Sequence, residues 1–314
     1  LKFEIYNEDC IVGAKNRISD NSIDLIICDP PFGINETSFE GMYNREKNII
    51  KNYQEAPKDY NLFSKQWIKE ASRVLKDNGT MYIVSGWSNL YDILDAVKEN
   101  KLITLNHIIW KYNFGVFTKN KFISSHYHIL RVSKSNKTTF NSYCRFAPQE
   151  KDDIGLSLLN KDLEDVFCIN KEYLKGEHKN QNKLPNELIN KLIMYSSNEG
   201  DLVSDFFLGN FTTAYCSKGL NRNFIGFEIN KEAFDYHIEK IKEFKEGCFI
   251  VNPPEAKIPK NKGKSLTEAE INSIHSRYND LRKVLKTKKE VIDVLAEEFG
   301  RGKFSIINIL KKVL

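Results

Sequence analysis

The chain has 314 residues, of which 41% are hydrophobic, 12% aromatic and 28% charged, with a net charge of +5 at pH 7. That is enough apolar material for one large domain or two moderate ones, and it excludes an intrinsically disordered chain. No apolar run reaches the roughly eighteen residues a membrane helix needs, and the start, Leu1-Lys2-Phe3-Glu4-Ile5, reads as a strand rather than a secretory leader, so a cytosolic setting is expected.

In chain order, a strand over Phe3–Tyr6 leads through Asn7-Glu8-Asp9-Cys10 to a second, Ile23–Cys28, which stops abruptly at Asp29-Pro30-Pro31-Phe32. Gly33 to Asp59 is polar and lacks periodicity, as expected of a long loop over one end of a sheet. A helix over Tyr60–Leu75, a turn at Asp77-Asn78-Gly79 and a strand over Thr80–Val84 follow. Next come a helix over Asn89–Glu99 and strands over Ile103–Lys111 and His126–Val132. The pattern resumes with a helix over Pro185–Ser196, a strand over Asp201–Ser204, a helix over Thr212–Lys218, a strand over Asn223–Phe227 and a helix over Lys231–Phe244. This order, read as β-α-β throughout, predicts an α/β fold with a largely parallel sheet and helices on both faces.

The Pro/Lys-rich segment 252–264 is expected to end a first domain, 1–251, as a linker. Three helical patterns follow over Leu266–Leu285, Lys288–Glu298 and Lys303–Leu314, so residues 265–314 form a helical tail domain. The last two flank Phe299-Gly300-Arg301-Gly302, compatible with a helix-turn-helix or with a plain packed appendage.

The charge is unevenly placed. From Glu255 onward there are 14 Lys and Arg against 8 Asp and Glu, so the tail carries the whole excess. Lys101 to Gln149 contains no acid, yet holds Lys111, Lys119, Lys121, Arg131, Lys134 and Arg145 among Trp110, Tyr112, Phe117, Phe122, Tyr127 and Phe140. Such a mixture neutralises phosphates and offers flat faces to bases, which points to a polyanion partner. The competing reading makes these aromatics core residues and the cations a solvated face. Six cysteines, Cys10, Cys28, Cys144, Cys168, Cys216 and Cys248, lie far apart without a C-x-x-C pair and are expected to be reduced and mostly buried. His126, His128 and His178 lack ligand-like spacing, and no metal is expected.

The carboxyl ends of strands are where open α/β sheets bind ligands, which sets Asp29 at a mouth. Asp29 and the carbonyl of Pro30 are acceptors that can hold the two hydrogens of an exocyclic amino group, with Pro30 and Pro31 fixing φ. Phe32 can stack on the ring, and an electrophilic methyl opposite the nitrogen can then be attacked in line. Read blandly, the tetrad is a turn. Downstream, Asp205-Phe206-Phe207-Leu208-Gly209-Asn210-Phe211-Thr212-Thr213 again runs from strand through a sharp turn into a helix, and the next strand ends at Glu228, where an acid suits ribose hydroxyls. A nicotinamide enzyme is disfavoured because G-x-G-x-x-G is absent.

In this order the segments resemble the amino-directed DNA methyltransferases that use S-adenosylmethionine, in the circular arrangement called the beta class. The resemblance runs from about Ile5 to Phe244 and implies a Rossmann-like methyltransferase sheet, with a target-recognition region inserted at about 101–180. It implies that Asp29, Pro30, Pro31 and Phe32 are catalytic, Asp29 and Pro30 holding the amino group and Phe32 stacking on an everted base. It assigns Asp205, Phe207, Gly209 and Thr212 to the methionine end of the cofactor and Glu228 to its ribose. Asp9 and Cys10 fall to its adenine, and Asn182 and Lys183 to its carboxylate. The partner implied is double-stranded DNA, contacted through Lys111, Lys119, Lys121, Arg131, Lys134 and Arg145, with a cognate restriction endonuclease or a solitary modifying role. The protein is expected as a monomer or homodimer away from membranes. Adenine is preferred because an aspartate opens the tetrad, whereas cytosine-directed relatives favour serine. The alternatives are a cytosine exocyclic-amino methyltransferase and a DNA-binding regulator on a decayed methyltransferase fold. Two departures stand out: Phe211 where the family's loop has a second glycine, and Phe206 where it often has proline. A phenylalanine there would act by narrowing the methionine pocket or weakening binding, but the acid at the start of the loop and the threonines at its end remain, so binding is expected to survive.

Overall fold

Strand β1 (Phe3–Tyr6) feeds helix α1 (Cys10–Arg17), which Asp9 caps by accepting from the amides of Ile11 and Val12 at 3.0 Å. Such a cap contributes about 1 kcal/mol. Strand β2 (Ile23–Cys28) is almost wholly apolar because both of its faces are covered. Ile26 and Cys28 face one core with Trp67, Ile68 and Ala71, while Leu25 and Ile27 face another with Leu188, Ile189 and Phe224.

The remaining elements of this body are α2 (Tyr60–Val74), β3 (Leu75–Ser85), α3 (Leu90–Glu99), β4 (Ile103–Lys111), β5 (His126–Ser133), α4 (Leu158–Asp162), β6 (Val166–Cys168), α5 (Asn186–Ser196), β7 (Leu202–Asp205), α6 (Thr212–Gly219), β8 (Asn223–Phe227) and α7 (Lys231–Glu243). They build one eight-stranded sheet of order β1-β8-β7-β2-β3-β5-β4-β6. The structure, a computed structural model, describes residues 1–31, 57–113, 115, 117, 119–120, 122–172, 183–256 and 258–311. It divides into two units, residues 1–146 with 159–253, and residues 147–158 with 254–314.

Three sequence expectations change. The β-α-β order does not hold throughout, because β5 pairs antiparallel with both β3 and β4. The described residues between β4 and β5 contain no helix, and strands joined without a crossover fold back on each other. The turn at Asp77-Asn78-Gly79 is absorbed into β3 as a register shift against β2, where a Cβ on Gly79 would stand 3.0 Å from the carbonyl oxygen of Asp24. Three short elements, α1, α4 and β6, carried too few residues to show a period.

The second unit has its own apolar core. Helices α8 (Glu268–Val284), α9 (Lys288–Glu298) and α10 (Lys303–Lys311) meet through Ile274, Val291, Leu295, Ile306 and Ile309. Thr287 and Glu290 form a reciprocal capping box at the start of α9. The α9–α10 turn uses a left-handed Gly300 (φ 58°). It is pinned by Arg301, which donates to both carboxylate oxygens of Glu270 and to the carbonyls of Asn261, Lys264 and Ser265. Among the described residues no helix is long and apolar enough to cross a membrane.

Candidate active site

β2 and β7 are hydrogen-bonded neighbours, yet the chain leaves β2 toward β3 on one side and β7 toward β8 on the other. Such a switch point opens a crevice at the carboxyl edge of a sheet. Because the strand order there is β1-β8-β7-β2, the acids that follow these strands, Asp9, Glu228, Asp205 and Asp29, succeed one another along a single edge.

Asp205 is buried and already organised. Its Oδ1 accepts the amide of Phe207 at 2.8 Å and its Oδ2 accepts the hydroxyl of Thr213 at 2.6 Å. Burial pushes its carboxyl up to about 7 against these two bonds. Glu228, buried as well, accepts the amides of Gly209 at 2.6 Å and Asn230 at 2.7 Å, and burial raises its carboxyl too. The loop from Asp205 to Thr213 is thus held from both sides by carboxylates.

Asp29 differs. The residue is half-buried, but its Oδ1 is sealed from solvent and has no hydrogen-bond partner among the described residues. Burial first and the negative charge of Asp205 second push its carboxyl up to about 8, opposed by the cation of Lys171. Such an orphan acceptor is costly for a stable fold unless something is meant to meet it. Beside it opens a small cleft lined by Asp29, Val84, Trp110, Tyr127, Lys171 and Lys183 with Leu184.

The wall of this cleft is aromatic. Trp110 and Tyr127 are register partners across β4 and β5, with ring centroids 5.6 Å apart, and Tyr112 completes the cluster at 5.7 and 5.4 Å from them. Trp110 is fixed by its indole N–H, which donates to the carbonyl of Ile169 at 2.8 Å. The Lys171 ammonium lies 4.3 Å from the ring centroid of Tyr112 and 4.9 Å from that of Tyr127.

Other residues singled out in the sequence fall in varied places. Pro30 is buried and Pro31 half-buried at the end of β2, whereas Phe32, Asn182, Lys121 and His178 lie outside the described residues. Lys183 lines the Asp29 cleft and pairs with Glu172 at 2.9 Å, and Glu172 also accepts the first amide of α5. Asp9 spends its Oδ1 on the α1 cap, and the Cys10 thiol is buried in the core, where burial drives its pKa far up. Phe207 packs edge-on against Trp67 at 5.3 Å, and Thr212 is buried at the start of α6, one residue before the hydroxyl that meets Asp205.

The two loop phenylalanines pack into the interior. Phe206 packs edge-on against Phe227, and Phe211 is fully buried and stacked on His237 at 5.1 Å. Phe211 also has a φ of 56°, the left-handed conformation that a glycine adopts without strain. The backbone path of a glycine is therefore retained, while the ring is spent on packing against His237.

The proposed phosphate-binding cations divide. Lys111 and Lys119 are exposed. Arg131 is only 8% exposed, donates to Asn106 and Thr138, and lies 4.7 Å from the centroid of Phe140. Lys134 donates to Asn21 and to the carbonyl of Leu75, and Arg145 pairs with Asp162 at 3.5 Å. These three cations serve the fold. The aromatics divide too: Trp110 and Tyr112 are core, while Phe117 and Phe122 are exposed. Of the cysteines, Cys10, Cys28 and Cys216 are buried, and Cys168 and Cys248 are exposed.

Of the site residues, Trp110 and Tyr127 appeared in the sequence only among the base-facing aromatics of the acid-free segment, and Lys171 and Thr213 had no role of their own. The in-out alternation of β4 and β5 carried a signal for the first two; nothing local distinguished Lys171.

The chain resembles known DNA methyltransferases in sequence and in fold. The family model of the N6/N4 methyltransferases, described as DNA methylase, matches residues 23–240. Type II methyltransferase M.HinfI of Haemophilus influenzae is 31% identical over 286 residues, covering 85% of this chain and 76% of its own. Type II methyltransferase M.HpaI of Haemophilus parainfluenzae is 32% identical over 240 residues, covering 74% and 71%. Among solved structures, the cytosine-N4-specific PvuII DNA methyltransferase superposes with a TM-score of 0.58 at 15% identity, over 78% of this chain and 91% of its own. TTHA0409 of Thermus thermophilus, complexed with S-adenosyl-L-methionine, gives 0.55 at 19% identity over 80% and 97%. The M1.HpyAVI–SAM complex gives 0.52 at 23% over 76% and 98%. At these identities the structural likeness is one of fold, a Rossmann-like sheet.

Proposed function

The chain belongs to the N6/N4 family of DNA methylases, and from that premise we propose that it transfers a methyl group from S-adenosylmethionine to the exocyclic amino group of adenine in double-stranded DNA, in the beta-class arrangement. The observation that carries the reading is the buried Oδ1 of Asp29, which has no hydrogen-bond partner among the described residues, at the switch point beside a cleft that Asp29 lines together with Trp110 and Tyr127. An amino hydrogen is the partner that oxygen lacks.

The donor set fits the cofactor. Asp205 and Glu228 are buried acids on one edge whose ionisation a nearby cation favours, and each oxygen they already use on an amide or hydroxyl keeps a lone pair for a ligand hydroxyl. S-adenosylmethionine, when bound, supplies an electrophilic methyl on a cationic sulfur. Asp29 and the Pro30 carbonyl hold the two amino hydrogens, which aims the nitrogen lone pair at that methyl. Once methyl transfer has made the nitrogen cationic, Asp29 would accept the proton it sheds and pass it to water. Eversion of the base costs roughly a few kcal/mol, and stacking on an aromatic wall at about 1–3 kcal/mol per base returns part of it.

Asp29 at the head of the tetrad favours adenine over cytosine. Likeness to Type II methyltransferases supports a place in restriction-modification, with a cognate endonuclease as partner. Incubating the protein with the cofactor and duplex DNA, then hydrolysing to nucleosides, tests the reading. N6-methyladenine is expected; N4-methylcytosine would reassign the base, and no methylated nucleoside would favour a regulator on a decayed fold.

A further inference from the structure

We infer that the tail unit is a second reader of the duplex, with α10 laid in the major groove through Phe304, Asn308 and Lys311. The inference rests on the reading of DNA as substrate.

These three residues follow one another at i, i+4 and i+7, which places them on one stripe of the helix. Ile306, Ile309 and Leu310 occupy the opposite stripe and complete the core of the unit. Phe304 is 82% exposed, and Asn308 and Lys311 are exposed beside it. A single exposed phenyl ring is unremarkable. A phenyl, a carboxamide and an ammonium aligned on the outer face of one helix form a set that reads base edges. Asparagine pairs in bidentate fashion with adenine N6 and N7, an apolar side chain covers the thymine methyl, and lysine takes guanine or phosphate.

Two further features support a groove over a protein partner. The turn before α10 is rigid, held by left-handed Gly300 and by the five-way donation of Arg301, so the helix is presented in one orientation. Between Asp280 and Glu290 the chain carries Arg282, Lys283, Lys286, Lys288 and Lys289, all exposed, with no acid among them. In a helix-turn-helix the helix before the reading helix crosses the phosphate backbone, and Lys288 and Lys289 open that helix here. The excess of Lys and Arg over Asp and Glu in the tail, 14 against 8, complements a polyanion.

The test uses the full chain and a fluorescent duplex in anisotropy titrations at several salt concentrations, with steady-state methylation alongside. Phe304→Ala combined with Asn308→Ala should weaken duplex binding about tenfold or more, with the loss in turnover falling on KM for DNA rather than on kcat. Lys288→Gln combined with Lys289→Gln should reduce the slope of log K against log salt by about two. Val284→Ala, exposed but on α8, is the control and should bind as wild type, and far-UV circular dichroism should be the same for all. Binding within about twofold of wild type for both double variants overturns the inference, since a groove contact is worth more than that. If the wild type transfers no methyl group to DNA, the proposed function fails instead, and the binding titrations still decide the role of α10.

Discussion

The amide of Gly209 donates to Oε2 of Glu228 at 2.6 Å, which ties the loop after β7 to the end of the neighbouring strand β8. The same loop is tied at its other end by Thr213 to Asp205. Its conformation is therefore set before any ligand arrives, and the associated reorganisation is avoided at the moment of binding.

Asp29 is the acid left without such ties. Asp29→Ala is expected to lower the single-turnover rate by about 10²- to 10³-fold, in line with the loss of one positioned transition-state contact, while calorimetry finds cofactor affinity little changed. A variant with the wild-type rate would contradict the assigned role.

A pH dependence follows from the same carboxyl. Burial holds Asp29 up at about 8 and Asp205 up at about 7, and the charge of Asp205 adds to the rise at Asp29. Because Asp29 serves as an acceptor, kcat/KM should rise as pH increases through this range. The stability effect has the opposite sign. Both folded values lie above the ordinary 3.8, so the stability they contribute is fully present below that value and is lost as pH rises through 7 to 8. Asp29→Asn cannot ionise there and should lose less melting temperature between about pH 6 and pH 9 than the wild type. Parallel losses in the two proteins would remove the basis for this claim.

Thr213→Val deletes the hydroxyl that Asp205 accepts and leaves a buried oxygen short of one donor. A stability loss of about 1–3 kcal/mol in urea melts is expected, together with weaker cofactor binding by isothermal titration. Thr213→Ser should restore both, and a serine variant as weak as the valine one would shift the explanation to packing.

Phe211 combines a large buried ring with a left-handed backbone. Phe211→Ala should cost about 3–5 kcal/mol from the cavity it leaves. Phe211→Gly should be no worse than alanine, since relief of the positive φ is worth roughly 1–2 kcal/mol, although glycine is ordinarily the poorer residue. Denaturant midpoints that rank glycine well below alanine would show that the φ of 56° carries no strain.

Lys119 and Arg131 look alike as cations in an acid-free segment, but one is exposed and the other is buried with two hydrogen-bond partners. Arg131→Gln should lower the melting temperature, whereas Lys119→Gln should leave it unchanged and flatten the salt dependence of DNA binding by about one unit of slope. The reverse pattern would return Arg131 to the surface role read from its sequence.

Elements with a strong period were legible before the structure. Ile23–Cys28 could be little other than a buried strand, Lys288–Glu298 had a helix period, and the acids after four strands were visible as an order along the chain. The β4–β5 reversal was not, because a strand's own residues do not record the direction of its neighbour. Nor were β6 and α1, which are too short for a period to show.

Residue types and their order along the chain fixed the chemistry available to this protein: an acid, two prolines and an aromatic after one strand, and an acid, a glycine and threonines after another. Which of those groups are still open to a partner was settled by packing. The threonine that holds Asp205, the ring of Phe211 turned into the core, the engagement of Arg131 and the buried oxygen of Asp29 all depend on contacts that exist only in the folded chain. Local sequence carries no information about those contacts, because burial and hydrogen bonding are properties of the neighbours that folding brings together.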